Sequence, residues 1–282
     1  MARPSPRPGA FTIVELLVVI AVISVLMAIL VPALDRARER GLLAQSLSNL
    51  HQVQIAGGAY SLDNKETLPF TPTYRRGSAA GPDSGPLEGL CGWSFAGKNN
   101  APEWAGRPFD VEAADRPLNP YLSPGATLDA PDAPATLPAS DPARKRTQIP
   151  VLQTRGYEDS LQRAWPDAIP GVSCYDDVGT SYLLNLQWLA QFSTIADPAS
   201  RLEIGLSRFR SAANAAPSRF VWLTDQSGDA VPRSTDPGYV WNNAFDDDNK
   251  SALAFIDGHV LYASVKPGQT VRPDYTLTLP SP

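Results

Sequence analysis

Few side chains in this 282-residue chain are of the types that form covalent intermediates or hold metals, and their spacing narrows the chemistry further. One four-ligand zinc site would need Cys91, Cys174, His51 and His259 together, and no two of them stand at finger spacing. A Cys/His nucleophile pair would draw on the same four residues, yet no activating sequence surrounds either thiol. Glycosidic cleavage needs two carboxyl groups about 5 to 9.5 Å apart, and nothing in the sequence picks such a pair from the 29 acids. No enzyme chemistry is therefore expected. Cys91 and Cys174 either form a disulfide or remain two buried thiols. Hard oxygen ligands do cluster at Asp246, Asp247, Asp248 and Asn249, with Asp257 further on. They offer a calcium site without EF-hand spacing, against the plainer reading of a hydrated acidic turn.

Glu15 draws attention through its position. Residues 11–34 read Phe-Thr-Ile-Val-Glu-Leu-Leu-Val-Val-Ile-Ala-Val-Ile-Ser-Val-Leu-Met-Ala-Ile-Leu-Val-Pro-Ala-Leu, interrupted only by Thr12, Glu15, Ser24 and Pro32. At about 1.5 Å per residue such a helix reaches roughly 36 Å, enough to cross a hydrocarbon core of about 30 Å. Residues 1–10 carry Arg3, Arg7 and three prolines and read as a short basic leader. The apolar run exceeds the roughly 7 to 15 residues of a secretory h-region, and no small-residue cleavage site follows it before Asp35. A carboxylate inside a membrane span is functional by default unless it reaches the interface. Glu15 either sits at headgroup level, complementing the positive end of the helix, or neutralises an amine exposed on a neighbouring helix by cleavage between Ala10 and Phe11.

The segment Ala10-Phe11-Thr12-Ile13-Val14-Glu15-Leu16-Leu17-Val18-Val19-Ile20 resembles the class III signal of type IV pilins and type II secretion pseudopilins. It combines a leader, a cut site, a Glu fifth from the cut and a long apolar run. The resemblance implies cleavage before Phe11 by a prepilin peptidase, N-methylation of Phe11 and a role for Glu15 in assembly. It also implies partners among membrane lipid, homologous pilin or pseudopilin subunits and the inner-membrane assembly machinery. The family usually has Gly before the cut, whereas Ala10 stands here and Gly9 lies one further back. Pro32 matches a proline that such pilins often carry in this helix, and it removes one backbone hydrogen bond. Arg3 and Arg7 favour a cytoplasmic N-terminus, while Arg36, Arg38 and Arg40 flank the other end and oppose that bias. The resemblance places the chain as a single-pass cytoplasmic (inner) membrane protein with its head outside, and as a periplasmic or surface filament after assembly.

The elements that would position this segment follow from periodicity. Residues 35–60 continue as an amphipathic helix, with Leu43, Leu47, Leu50 and Val53 on one stripe and Gly57-Gly58 expected to end it. Residues 61–282 would form the extracytoplasmic head. Within it, residues 69–150 hold 14 of the 28 prolines, so long loops are expected, with a mobile one near 131–150. Trp93, Trp104 and Tyr121 in this zone either stack on a sugar or partner or fill the space beneath their own loops. Strand signals appear at residues 179–185, 219–224 and 252–256, and Asp257-Gly258 between apolar runs predicts a two-residue hairpin with positive φ at both positions. This last segment resembles the H-x9-DG motif of planctomycete pseudopilin-like proteins, except that Asp247 stands where the histidine belongs. The expected fold is α+β and pilin-like: a long N-terminal helix, membrane-spanning in its first half, packed on an antiparallel sheet. A formal charge of -5 argues against nucleic acid as a partner. Two functions remain: a minor or specialised filament subunit, or an anchored, non-polymerising protein that binds a polysaccharide or another surface partner.

Overall fold

The computed structural model describes residues 12–65, 67–74, 87–104, 109–125, 148–156, 158–163 and 167–279. The chain divides into two compact units, one ending at Gly41 and one beginning at Leu42. Helix α1 (Ile13–Asp63) contributes to both. In the first unit its apolar residues point to every side, and each large apolar side chain from Ile13 to Leu34 is exposed. Pro32 sits within the helix without ending it.

In the second unit the same helix becomes one-sided. Leu50 and Val53 are fully buried and Leu47 packs against them, while Gln45, Ser48 and Gln52 face solvent, as the periodicity predicts. Gly57-Gly58 does not end the helix, which runs on to Asp63. Gly57 serves packing instead: a Cβ there would lie 2.4 Å from Cη2 of the buried Trp222 ring, so only glycine lets the two approach.

Two antiparallel ribbons precede the main sheet, β1 (Thr71–Tyr74) with β2 (Leu87–Cys91) and β3 (Asp159–Ser160) with β4 (Ile169–Ser173). Short helices α2 (Asn119–Leu122) and α3 (Cys174–Val178) hold the Pro-rich zone. The main sheet has four antiparallel strands in the order β5 (Tyr182–Leu184), β6 (Val221–Asp225), β7 (Lys250–Phe255), β8 (Val260–Ser264). Helices α4 (Pro198–Ala215) and α5 (Gln226–Arg233) flank β6 in sequence. Asp197 and Asp225 cap them by accepting from the N–H groups of Ser200 and Gly228.

The sheet is covered on both faces, which the alternation in β7 makes plain. Ala252 and Ala254 join the core formed with Leu50, Val53, Trp188 and Trp222, whereas Leu253 and Phe255 join Val231, Tyr275 and Leu277. The β7–β8 hairpin forms where Asp-Gly predicts it, but with a three-residue loop. Gly258 donates to the Phe255 carbonyl at 3.0 Å and is the one turn residue with positive φ, +97°. Asp257 stays at negative φ, the geometry of a tight turn followed by a left-handed glycine. Most of the loop expected near 131–150 lies outside the described residues; its end is packed, with Ile149 buried and its N–H donating to the Tyr175 hydroxyl at 2.8 Å.

Candidate assembly site

The first unit begins with a reciprocal cap. Thr12 Oγ1 accepts the Glu15 N–H at 3.2 Å, and the Thr12 N–H and hydroxyl both donate to Glu15 Oε2 at 2.8 Å. This is the Ser/Thr-x-x-Glu capping box, which satisfies amides at the start of α1 that have no partner within the helix. Glu15 is thus fixed at the first turn, where a carboxylate also complements the helix dipole. The pattern was present in the sequence, yet Thr12 escapes a reading that treats residues 11–34 only as a greasy run. Ala10 and Phe11 lie outside the described residues.

Beyond the cap, an 18-residue window of α1 has a mean hydropathy of 3.1 and none of it is buried. Among the described residues this is the one helix long and apolar enough to cross a membrane. From Ile13 to Leu34 it spans roughly 33 Å, close to a hydrocarbon thickness of about 30 Å. Ser24 hides its hydroxyl by donating to the Ile20 carbonyl at 2.7 Å, a bond that suits an apolar surround. Pro32 has no N–H to donate, leaving one helical carbonyl without its usual partner. Exposed Asp35, Arg36, Arg38, Glu39 and Arg40 close the run.

In the second unit, the part of α1 after Leu42 is held by polar anchors as well as by its apolar stripe. Gln54 Nε2 donates to the Phe255 carbonyl at 2.7 Å, and Gln54 Oε1 accepts from Trp222 Nε1. Asn49 Nδ2 donates to the Gln153 carbonyl at 3.3 Å, and the Tyr182 hydroxyl donates to the Ser46 carbonyl at 2.9 Å. Ser46, Asn49 and Gln54 were not singled out from the sequence. Their signal was there: each lies three or four positions from Leu50 or Val53, on the buried side of the helix.

The Pro-rich zone is built around Arg116, which is fully buried. Its guanidinium donates to the carbonyls of Ala96 and Val178 at 2.9 Å and to Asn100 Oδ1 at 2.7 Å. Trp93 and Trp104 pack with ring centroids 5.1 Å apart, and Trp104 Nε1 donates to the buried Asp177 at 2.9 Å. Tyr121 packs edge-on against Tyr60 and donates to Asp63 at 2.9 Å. Trp104 and Tyr121 therefore follow the space-filling reading.

The proposed calcium ligands are not gathered into a site. Asp247 is taken up by Lys250 Nζ at 2.8 Å and by the Tyr262 hydroxyl at 2.9 Å, which hold its carboxyl below the usual range. Asn249 Oδ1 accepts the Trp241 N–H at 2.8 Å, while Asp246 and Asp248 are exposed. Asp257 sits in the β7–β8 turn, with all of β7 between it and the others, and bonds His259 Nδ1 at 2.6 Å. Among the described residues no group of three or more His, Cys, Asp or Glu is placed to hold a metal ion. Cys91 and Cys174 are buried free thiols, not a disulfide. Burial pushes both thiols up, away from the thiolate that a nucleophile needs. His51 is exposed on α1 and His259 stacks on Phe255, so neither matches an activating base for Cys174, which packs with Trp104 and Val178.

The family model described as a prokaryotic N-terminal methylation motif matches residues 6–31. The chain carries the type IV pilin and pseudopilin signal, which spans Ala10, Phe11 and the Thr12–Glu15 cap. The match does not reach the Asp257-Gly258 segment. No curated protein and no solved structure matches the chain.

Proposed function

We propose that this protein is a minor or specialised structural subunit of a type IV pilus-like or type II secretion pseudopilus-like filament, assembled through α1. The observation that carries the reading is the coincidence of the methylation signal with a helix whose apolar surface is exposed on every side. Such a surface needs lipid before assembly and neighbouring helices after it, because exposed apolar area in water is unfavourable by about 25 cal/mol per Å². In this account a prepilin peptidase cuts between Ala10 and Phe11 and the new amine of Phe11 is methylated. Glu15 caps its own helix through Thr12 while the subunit waits in the membrane. On assembly its carboxylate meets the Phe11 amine of a neighbour, so that a charge pair rather than a lone charge enters the apolar filament core. The head lies outside the cytoplasm, and the inner-membrane assembly machinery extracts the subunit from the lipid.

Glu15→Val tests this directly. The variant should remain membrane-bound while its incorporation into sheared filaments or crosslinked ladders falls at least about tenfold, as expected for loss of a charge partner in an apolar surround. Incorporation at the native level would contradict the reading.

A further inference from the structure

Between its apolar run and its buried stripe, α1 passes through a stretch with no outside support. The run ends at Leu34, the first buried residue of the helix is Ser46, and every residue from Asp35 to Gly41 is exposed. Gly41 lies about 10 Å along the helix from Leu34, further than a headgroup layer of roughly 5 to 8 Å, so lipid does not cover it. A helix in water without packing is marginal, because most helical stability in proteins comes from tertiary contact. Side-chain charges do not make up for this. Asp35 with Arg38 and Arg36 with Glu39 attract across three positions, while Asp35 with Glu39 and Arg36 with Arg40 repel across four. Gly41 weakens the stretch further, since glycine gives up the most backbone freedom on entering a helix. Packing does not require a glycine here: a Cβ at Gly41 would meet nothing within 4 Å, whereas one at Gly57 would strike the Trp222 ring.

The same stretch carries Arg36, Arg38 and Arg40, all exposed. An endopeptidase takes its substrate in extended form, so cutting within a helix waits on local opening, and opening is least costly where Arg40 adjoins Gly41. We propose that the Arg40–Gly41 bond is a release site, cut by an endopeptidase whose acidic specificity pocket receives the arginine. Water adds across the amide, leaving a carboxylate on Arg40 and an amine on Gly41. The compact unit that begins at Leu42 stays whole, because Asn49, Leu50, Val53 and Gln54 hold its part of α1 through their own contacts. The product is a folded head without its apolar anchor. The inference needs that anchor alone and holds whether or not the chain polymerises.

The test places the full chain in phosphatidylcholine nanodiscs and treats it briefly with trypsin as the arginine-specific probe. Before treatment the protein should stay with the discs. Afterwards a head should appear in the disc-free fraction, elute as a compact species, and begin at Gly41 by peptide mass. Gly41→Ala should slow that release about fivefold, since cleavage follows the population of open helix and alanine lowers it. Arg40→Gln should remove the Gly41 start altogether. Both positions are exposed, so neither variant disturbs the packed head. Release by Gly41→Ala at the native rate would overturn the proposal, as would a released head that begins at Ala37 or Glu39 instead. In the native cell, the soluble extracytoplasmic fraction should hold a head with the same Gly41 start. Finding no head there while the membrane form is abundant would also overturn it.

Discussion

Glu15 and Glu158 are two carboxyls that the fold treats in opposite ways. Glu15 was legible because a charge in an apolar run is conspicuous, and its spacing from the cut site carried the functional reading. Glu158 was not, because its surroundings come from residues distant in sequence. It lies half-buried near Asp225 and accepts from Trp241 Nε1, and desolvation followed by the Asp225 charge pushes its pKa up to about 8 from an ordinary 4.5. The folded state therefore holds a proton that the unfolded chain has released between those two values, and stability falls as pH rises through that window. Urea denaturation of the full chain in detergent from pH 5 to 8 should show this decline, and Glu158→Gln should flatten it. An unchanged slope in the variant would assign the pH dependence elsewhere. Arg116 gives a second test at this scale: Arg116→Met strips its bonds to Ala96, Val178 and Asn100 from a buried network and should lower stability by about 3 kcal/mol. A midpoint within error of the native one would show that the Pro-rich zone does not depend on it.

At the level of elements, hydrophobic periodicity located α1, its buried stripe and three strands of the main sheet, because period and burial are tied by simple geometry. It misjudged the end of α1, since a Gly-Gly pair reads as a stop only when nothing packs on it. The two glycines should respond oppositely to the same change. Gly57→Ala drives a methyl into the Trp222 ring, which Gln54 holds in place, and should cost about 1 to 3 kcal/mol despite the better helix propensity of alanine. Gly58→Ala meets open space and should stabilise by up to about 1 kcal/mol. Thermal melts of the two variants side by side check this, and the same sign for both would refute the packing role of Gly57. The hairpin teaches a similar lesson: Asp-Gly announced a turn, but pairing across β7 and β8 chose the loop length.

For the molecule as a whole, the α+β plan was legible from its two ends, a greasy helix at the start and alternating strands near the finish. The middle was not. Its order depends on a buried arginine gathering carbonyls from three segments, at Ala96, Val111 and Val178, which has no local sequence signal, and on polar anchors in α1 whose one signal was their helical spacing from Leu50 and Val53. The acidic run at 246–249 shows the converse, a composition that suggests a metal site and a fold that uses Asp247 to hold Lys250 and Tyr262 and Asn249 to hold the Trp241 amide. The central claim concerns the other end of the chain, where a trimmed, methylated helix start is the precondition for assembly. Mass spectrometry of the N-terminal peptide, from protein recovered in both the membrane and the sheared filament fractions, tests it most directly. The account predicts a chain beginning at N-methyl-Phe11 in each; a chain that begins at Met1, or anywhere beyond Leu34, would contradict it.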